Sequence, residues 1–308
     1  MRVVDLFCGC GGLSLGFQNA GFDIVAGFDN WKDAISIYSK NFSHPVFEQD
    51  LSDIEQSVSV ISQYTPDMII GGPPCQDFSS AGKRNEDNGR GGLTISYAQI
   101  IARVKPTWFV MENVERILKT KKLSEAKKIF KNSGYGLTQI VLDASLCSVP
   151  QKRKRFVLIG KMGEVDNFMF RLITSRLATK PMTIADYLGN SLGIEYYYRH
   201  PRSYARRGIF SIYEPSPTIR GVNRPMPSGY KRHNGDPIDS IEGVRNLTTI
   251  ERSYIQTFPK NFKWEGTKTN LEQMIGNAVP VNLGKFIGLS IQEYLRHGGD
   301  KHQQLSLF

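Results

Sequence analysis

The chain has 308 residues, with 39 lysines and arginines against 29 aspartates and glutamates, which gives a formal net charge of +10 and a pI near 9.4. Hydrophobic content of 40% and charged content of 22% are typical of a folded, water-soluble protein, and its apolar runs are far shorter than the roughly 20 residues of a membrane span. The length favours two domains, and the basic excess favours a polyanionic partner.

Cysteine and histidine usage narrows the class further. The four cysteines, Cys8, Cys10, Cys75 and Cys147, are too few for a disulfide framework in so long a chain. Met1 leads straight into a strand-like segment without a signal peptide, so we expect a cytoplasmic, bacterial-type protein. The five histidines are scattered and show no zinc-type spacing, so we expect no metal.

The first strand predicts the opening unit of a nucleotide-binding α/β fold. Residues Arg2 to Phe7 read as a strand that ends at the glycine-rich run Cys8-Gly9-Cys10-Gly11-Gly12, and apolar residues at near-helical spacing follow. A dehydrogenase fingerprint would need a third glycine where Ser14 stands, and no P-loop lysine is present. The pattern therefore favours an adenosyl cofactor without a pyrophosphate.

The second strand ends at an acidic residue. Residues Ile24 to Phe28 read as a strand, and Asp29 follows about 17 residues after Gly12, a spacing that suits a carboxylate bound to ribose hydroxyls. Trp31 is either a core residue or a surface on which adenine stacks. We expect Asp29 at the cofactor site.

A cysteine stands on a stiff turn after a third short strand. The apolar run Asp67 to Ile70 stops at Gly71-Gly72-Pro73-Pro74-Cys75-Gln76, where two prolines fix φ and give up their N–H groups. Cys75 is either a nucleophile or a buried structural thiol. The polar, glycine-rich stretch from Phe78 to Leu93 is either a basic lid over that residue or a loop of no consequence.

Two further segments place charged side chains at strand ends. A strand from Thr107 to Met111 stops at Glu112-Asn113-Val114, and Gln151-Lys152-Arg153-Lys154-Arg155 leads into a strand from Phe156 to Ile159. In an extended segment Arg153 and Arg155 point the same way and the two lysines point the other way. Paired arginines suit an anionic substrate or developing negative charge.

The last third of the chain is irregular and basic. The stretch 184–266 carries prolines, tyrosines and arginines in short extended pieces, and between Arg199 and Arg232 eight lysines and arginines face a single acidic residue, Glu214. Arginines interleaved with tyrosines suit phosphates and bases, while the alternative is a solvated basic surface. Helices are expected from Thr248 or Thr249 and from Gly276 to about Tyr294.

These motifs together resemble those of the DNA (cytosine-5) methyltransferases of bacterial restriction-modification type, in the family's order from residue 3 to about 290. The motifs that carry the resemblance are Asp5-Leu6-Phe7-Cys8-Gly9-Cys10-Gly11-Gly12, Gly72-Pro73-Pro74-Cys75-Gln76, Glu112-Asn113-Val114, Gln151-Lys152-Arg153-Lys154-Arg155 and Gly276-Asn277-Ala278-Val279. Thr218-Ile219 resembles a landmark of the family's variable target-recognition region.

The resemblance implies two domains of different kinds. An α/β, Rossmann-like domain with a mostly parallel sheet would bind S-adenosyl-L-methionine and comprise residues 1–183 plus 267–308. A smaller, irregular, β-rich target-recognition domain, residues 184–266, would face it across a DNA cleft.

The resemblance also implies a mechanism. Carbon 5 of cytosine is a weak nucleophile until a thiolate adds to C6, which explains a cysteine at this position, since its pKa near 8.5 leaves it partly ionised at neutral pH. Cys75 would be that nucleophile, and Glu112 would hold the N3/N4 edge and protonate N3. Arg153 would neutralise charge beside O2, with Arg155 and Asn113 in support. The target base is stacked inside duplex DNA, so it must be flipped out.

The same resemblance assigns binding residues. Those expected at the S-adenosyl-L-methionine site, which would hold S-adenosyl-L-homocysteine as product, are Phe7, Gly9, Gly11, Leu13, Asp29, Trp31, Asp50, Pro73, Leu93, Asn277 and Ala278. Many relatives have glutamate where this chain has Asp29, so we expect a longer or water-bridged ribose contact. Those expected to contact DNA are Gln76, Ser79, Ser80, Lys83, Arg84, Thr218, Arg220, Arg224 and Arg245.

Among these, Arg220 and Arg224 are the candidates for guanine contacts. The expected partners are double-stranded DNA and a separately encoded endonuclease, with the chain itself a monomer. Two alternatives stay open: a tRNA cytosine-5 methyltransferase, and an inactive relative that binds DNA as a regulator. Comparing methyl transfer to duplex DNA with methyl transfer to tRNA distinguishes a DNA methyltransferase from a tRNA methyltransferase. Covalent trapping on 5-fluorocytosine DNA distinguishes an active enzyme from an inactive DNA-binding relative.

Overall fold

The computed structural model describes residues 1–74, 92–203 and 205–297. Within these residues, no helix combines the length and the apolar character that a membrane crossing requires. The expected lid between Phe78 and Leu93 lies almost entirely outside the described residues, as does Cys75.

A twisted central sheet carries the large α/β unit. Its strands are β1 (Arg2–Leu6), β2 (Asp23–Asp29), β3 (Val46–Glu48), β4 (Met68–Gly71), β5 (Trp108–Val114), β6 (Tyr135–Asp143) and β8 (Lys154–Met162), with the short β7 (Gln151–Lys152) outside it. The strand order is β3-β2-β1-β4-β5-β8-β6. Strand β8 runs antiparallel to both of its neighbours, and the other pairings are parallel, which confirms the mostly parallel sheet.

Helices cover both faces of this sheet. In chain order the helices are α1 (Gly12–Asn19), α2 (Lys32–Asn41), α3 (Ile54–Ser62), α4 (Leu93–Val104), α5 (Lys121–Asn132), α6 (Phe170–Ser175), α7 (Ile184–Leu188), α8 (Thr249–Ile255), α9 (Lys268–Asn277) and α10 (Val281–Arg296). Helices α1, α6 and α10 pack on one face and α3, α4 and α5 on the other, while α7 and α8 pack in the smaller part of the molecule. Because successive strand residues point to opposite faces, Val3 packs in one cluster with α1, α6 and α10, and Val4 packs in another with α3, α4 and α5.

The C-terminal region differs from the expected single helix beginning at Gly276. Gly276 and Asn277 are the last residues of α9, and α10 begins only at Val281. Ala278 leaves the helical conformation with ψ 143, and Pro280 supplies no N–H to continue the hydrogen-bond ladder. The motif is therefore a break between two helices, which leaves its backbone carbonyls available to other side chains.

Short strands form the smaller, irregular part. Strand β9 (Tyr196–Tyr198) lies between β10 (Ile209–Ser211) and β12 (Arg245–Asn246), while β11 (Ser216–Pro217) pairs with β7. An apolar cluster beneath them runs from Ile184 to Ile275. Helix α9 contributes Ile275 to that cluster and Leu271 to a cluster with α2, so the domain limits 183/184 and 266/267 stay a prediction.

Candidate active site

The carboxyl ends of four adjacent parallel strands bring the predicted site residues to one edge of the sheet. Strand β1 ends before Phe7, β2 ends at Asp29, β4 ends at Gly71, and β5 carries Glu112 near its end. These strands are neighbours in the order β2-β1-β4-β5, so their ends form a continuous edge. This edge is where open α/β sheets bind their ligands.

The loop after β1 contains three residues in the left-handed backbone region, which its glycines adopt without strain. Phe7, Gly9 and Gly11 all have positive φ, at 57°, 54° and 92°. A Cβ on Gly9 would meet no atom within 4 Å, whereas a Cβ on Gly11 would lie 2.3 Å from the ring of Phe42. Gly9 therefore borders open space, while Gly11 serves packing against α2. The side chain of Leu13 lies in the core beside α10.

Asp29 ties this loop to the start of α2. Its Oδ2 accepts a 2.8 Å hydrogen bond from the N–H of Gly9, and its Oδ1 accepts one of 2.8 Å from the N–H of Trp31. Burial raises the pKa of the Asp29 carboxyl, and the two N–H donors oppose that rise. Each oxygen keeps a second acceptor direction, so the half-buried carboxylate can still receive a ribose hydroxyl.

The remaining residues expected at the cofactor site are distributed around this edge. Trp31 is half-buried against an apolar cluster of α2 and α9, and Asp50 is exposed with its Oδ1 bound to the N–H and hydroxyl of Ser52. These hydrogen bonds lower the pKa of Asp50. Leu93 is the first residue of α4, and Asn277 is exposed at the end of α9.

Asp5, inside β1, was not among the residues selected from the sequence. It is 1% exposed, its Oδ2 accepts a 2.6 Å hydrogen bond from Ser14 Oγ, and its Oδ1 has no hydrogen-bond partner in the described part of the chain. Ser14 Oγ is 2.7 Å from the hydroxyl of Tyr38, which is 2.7 Å from Nε2 of His44. Burial raises the pKa of Asp5 to about 7. The sequence feature that could have identified this residue is an acidic side chain within an otherwise apolar strand.

The turn that precedes Cys75 packs against the end of β5. Asn113 Nδ2 donates a 2.8 Å hydrogen bond to the carbonyl of Pro73, and a Cβ on Gly72 would lie 3.3 Å from Glu112 Oε2. Glu112 therefore lies directly behind the turn that leads into Cys75. Several predicted residues lie outside the described part of the chain, namely Cys75, Gln76, Ser79, Ser80, Lys83 and Arg84.

Glu112 is paired with Arg155 in a buried position. Arg155 Nε is 2.8 Å from Glu112 Oε1, and only 13% and 10% of the two side chains are exposed. Arg155 lies opposite Val114 on the antiparallel strand β8, which places it diagonally across from Glu112 on the same face of the sheet. Burial raises the pKa of the Glu112 carboxyl, although Arg155 and then Arg153 oppose this rise.

Arg153 is enclosed by backbone carbonyls. It is 1% exposed, and its guanidinium donates hydrogen bonds of 3.0, 3.0 and 3.1 Å to the carbonyls of Ile219, Gly276 and Ala278. All three acceptors are backbone atoms, so Arg153 joins the α9–α10 break to the smaller unit. Arg155, expected only in support, is the arginine that the structure places against Glu112.

A buried amide network surrounds Arg153. Gln151 Nε2 donates a 2.8 Å hydrogen bond to Gln256 Oε1, and Gln151 Oε1 accepts one of 2.9 Å from the N–H of Ile219. Gln256 in turn donates to the carbonyls of Ile275 and Ala278. Thr218 Oγ1 donates a 2.7 Å hydrogen bond to the carbonyl of Lys152. Thr218, expected at DNA, therefore holds the segment that follows β11 against Lys152 of β7.

The predicted DNA-contacting arginines have different surroundings. Arg245 forms a bidentate ion pair with Glu251, with N–O distances of 2.6 and 2.7 Å, and donates to the carbonyl of Leu192. Arg245 therefore anchors α8. Arg220 is half-buried and donates to the carbonyl of His200, while Arg224 is exposed.

The other cysteines are buried free thiols. Burial raises the pKa of both Cys10 and Cys147 to about 12, and it raises that of Cys8 well above its ordinary value. Thiols that resist ionisation are poor nucleophiles, which leaves Cys75 as the candidate.

The chain resembles known proteins along almost its whole length. Residues 1–293 match the family model of the C-5 cytosine-specific DNA methylases. Type II methyltransferase M.HindV of Haemophilus influenzae is 60% identical over 94% of this chain and 96% of its own length. Type II methyltransferase M.HgiDI of Herpetosiphon aurantiacus is 54% identical over 100% of this chain and 98% of its own length.

Solved structures agree in fold. The S. pombe Dnmt2 methyltransferase has a TM-score of 0.69 at 19% identity and covers 95% of this chain and 98% of its own. Since the family model spans nearly the whole sequence and two relatives exceed 50% identity over more than nine-tenths of it, the evolutionary relationship is unambiguous. The chain belongs to the C-5 cytosine-specific DNA methylase family and is a cytosine-C5 DNA methyltransferase of the Type II restriction-modification class.

Proposed function

We propose that this methyltransferase modifies C5 of a flipped cytosine within a specific duplex sequence, through a covalent bond between the sulfur of Cys75 and C6. In the first step the thiolate adds to C6 while Glu112 delivers a proton to N3. This addition makes C5 nucleophilic, and C5 then takes the methyl group. The proton on N3 then returns to Glu112, the C5 proton leaves to solvent, and expulsion of the thiolate restores the aromatic ring.

The buried pair of Glu112 and Arg155 carries this proposal. Glu112 is aimed at the turn before Cys75, and its burial-raised pKa favours a carboxyl group that holds and donates a proton. We assign the neutralisation of charge at O2 to Arg155, because Arg155 Nε is 2.8 Å from the same carboxyl group. Arg153 then acts as a structural anchor, and Asn113 holds the turn through Pro73.

The methyl donor of this family's reaction is S-adenosyl-L-methionine, whose sulfonium supplies an electrophilic methyl group. The residues present fit it, since Gly9 borders open space and the buried Asp5 Oδ1 has no hydrogen-bond partner among the described residues. Asp29 would accept from the ribose and Trp31 would contact the adenine. The walls of the S-adenosyl-L-methionine site would be completed by Phe7, Pro73, Leu93, Asn277 and Ala278.

We further propose the biological setting. Modification of one duplex sequence would protect host DNA from a separately encoded endonuclease, as in the systems for which the Type II relatives are named. The enzyme would work as a monomer in the bacterial cytoplasm, where DNA and the methyl donor are both available. A tRNA substrate is the alternative that the experiment below separates.

Covalent trapping tests the mechanism. A long duplex with 5-fluorocytosine in place of cytosine is incubated with the enzyme and S-adenosyl-L-methionine. Because fluorine cannot leave C5 as a proton does, we expect a denaturant-stable complex with the wild type and with Cys147→Ala, but none with Cys75→Ala. A complex that persists in Cys75→Ala would refute the covalent step, and trapping on a tRNA transcript instead of the duplex would refute the substrate.

A further inference from the structure

Several arginines line a pocket in the smaller unit. The pocket is bordered by Arg199, Arg220, Arg224 and Arg252, together with His200, Asn223 and neighbouring apolar residues. Arg202 lies close enough to Arg199 and Arg220 to depress their pKa values, after the larger effect of burial. Like charges are held together here, which costs free energy unless an anion binds.

The nearby carboxylates neutralise other arginines. Arg207 pairs with Glu214, and Arg252 pairs with Glu272 in a position where only 5% and 4% of the two side chains are exposed. Among residues 1–74, 92–203 and 205–297, no carboxylate lies within ion-pair distance of Arg199, Arg202, Arg220 or Arg224. We call these four residues the arginine cluster.

The cluster contains two kinds of side chain. Arg199 donates a 2.8 Å hydrogen bond to the carbonyl of Thr218, and Arg220 donates to the carbonyl of His200, so both half-buried guanidinium groups are held in place. Arg202 and Arg224 are exposed, and neither side chain has a hydrogen bond within the described residues. A guanidinium held by one N–H still presents others for bidentate binding.

The segment that carries Arg220 and Arg224 is fixed from behind. Arg252 donates to the carbonyl of Arg220, and Asn246 Nδ2 donates a 2.8 Å hydrogen bond to the carbonyl of Arg224. A Cβ on Gly276 would lie 2.2 Å from the N atom of Gly221, so α9 packs directly against this backbone. Reading bases requires such a rigid support.

We infer that Arg199 and Arg220 each read a guanine through O6 and N7 in the major groove, whereas Arg202 and Arg224 bind backbone phosphates. This inference rests on the proposed function, because it needs a duplex DNA substrate. It replaces Arg224 with Arg199 as the second guanine-reading residue. The physical reason is that held guanidinium groups suit bidentate base recognition, and mobile, exposed ones suit phosphates.

Methylation of a randomised library tests the assignment. Duplexes with a randomised window are methylated by each variant and mapped by bisulfite sequencing. Arg199→Lys and Arg220→Lys keep the positive charge but remove the planar guanidinium that can form two parallel hydrogen bonds to guanine. We expect each substitution to reduce the preference for guanine at one position by about tenfold and to leave the preferences at the other positions unchanged. A purely structural role would weaken methylation equally at every sequence.

The phosphate contacts give a different signature. We expect Arg202→Gln and Arg224→Gln to leave every base preference intact, to weaken binding to all sequences, and each to reduce the slope of log affinity against log salt by about 0.9. Arg171→Gln removes the same charge from α6 and should change neither quantity. Guanine preferences that survive Arg199→Lys and Arg220→Lys, or that change in Arg202→Gln or Arg224→Gln, would overturn the inference.

The trapping assay separates this failure from a failure of the proposed function. If the wild type and all of these variants form the covalent complex with 5-fluorocytosine DNA but the base preferences do not follow the arginines, only the recognition assignment is wrong. If the wild type forms no complex, the proposed mechanism itself fails.

Discussion

Arg153 and Arg155 stand two residues apart on the same side of an extended segment, yet they meet different groups. Arg153 donates to three backbone carbonyls, while Arg155 faces the carboxylate of Glu112. The alternation along the chain predicted their shared direction. It did not predict their partners, because the three carbonyls come from residues 219, 276 and 278, which are distant in sequence.

Substituting each arginine by methionine separates the two roles. Arg153→Met leaves the buried carbonyls of Ile219 and Gly276 unpaired and removes one of the two donors to the carbonyl of Ala278, so we expect the free energy of unfolding to fall by about 3 kcal/mol. Arg155→Met should lower the methyl-transfer rate by roughly 100-fold with a much smaller loss of stability, because the buried Glu112 can take up a proton when its partner is removed.

Urea unfolding and single-turnover methylation measure the two quantities on each variant. Both proteins are assayed at the same pH and with saturating methyl donor. A stable Arg153→Met that has lost activity, beside an unstable Arg155→Met that has kept it, would reverse the assignment.

Asp5 predicts a pH dependence of stability in the enzyme without cofactor. Burial raises its pKa from 3.8 to about 7, with Asp29 adding to the rise and Ser14 opposing it; its carboxyl in turn raises the pKa values of Cys8, Tyr38 and Tyr97. Between these two pKa values the folded state holds a proton that the unfolded state has lost. Stability therefore falls as pH rises from about 4 to about 7 and then levels off at higher pH.

The substitution Asp5→Asn removes this dependence and keeps an acceptor for Ser14. We expect its stability relative to the wild type to improve between pH 5 and pH 7 by about 2 kcal/mol, as measured by urea unfolding at each pH. Asp239→Asn, at a carboxylate that is 90% exposed, is the control. Parallel pH curves for the wild type and Asp5→Asn would contradict the prediction.

At the scale of elements, the sequence predicted strands better than it predicted their surroundings. Strands β1, β2, β4 and β5 are short apolar runs that end near a glycine, a proline or an acid, whereas the nine-residue β6, with Thr138 and Gln139 inside it, was not predicted. The antiparallel direction of β8 could not be predicted from the sequence, because the spacing of apolar residues does not show which strand is the neighbour or how it runs.

The packing of the C-terminal helix on the first helix of the large unit could not be predicted from such local sequence patterns. Helix α1 packs on α10, and a Cβ on Gly16 would lie 2.5 Å from the carbonyl oxygen of Val281. These helices are separated by more than 250 residues, so only the family resemblance predicted that the C-terminal helix returns to this unit. The break at Ala278 was missed since Gly276 and Pro280 are both compatible with a helix start.

At the scale of the molecule, a buried polar layer joins the two units. Gln256, directly after α8, bonds to Gln151 of β7 and to the carbonyls of Ile275 in α9 and of Ala278 in the α9–α10 break. Arg153 bonds to the same break and to the carbonyl of Ile219. Gln256 is 0% exposed. Because buried polar groups are costly when unpaired, this layer favours one relative position of the two units over others.

We expect this layer to couple the unfolding of the units. In the wild type, the amides of β9 and β10 should exchange with solvent only in the same global opening that exposes β4 and β5. Gln256→Leu leaves Gln151 Nε2 and the carbonyl of Ile275 without a partner, at a cost of about 1–3 kcal/mol for each unpaired group, while the carbonyl of Ala278 keeps its hydrogen bond from Arg153. The smaller unit should then open separately, at a lower free energy than the large sheet.

Hydrogen exchange followed by mass spectrometry measures this difference segment by segment. Exchange should accelerate in β9, β10 and α8 of Gln256→Leu, while β4 and β5 keep nearly the protection that they have in the wild type. Gln99→Leu, an exposed position on α4, controls for the same chemical change. If Gln256→Leu accelerates exchange equally in all of these segments, the layer adds stability without coupling the units, and the coupling must come from the apolar contacts of α9 instead.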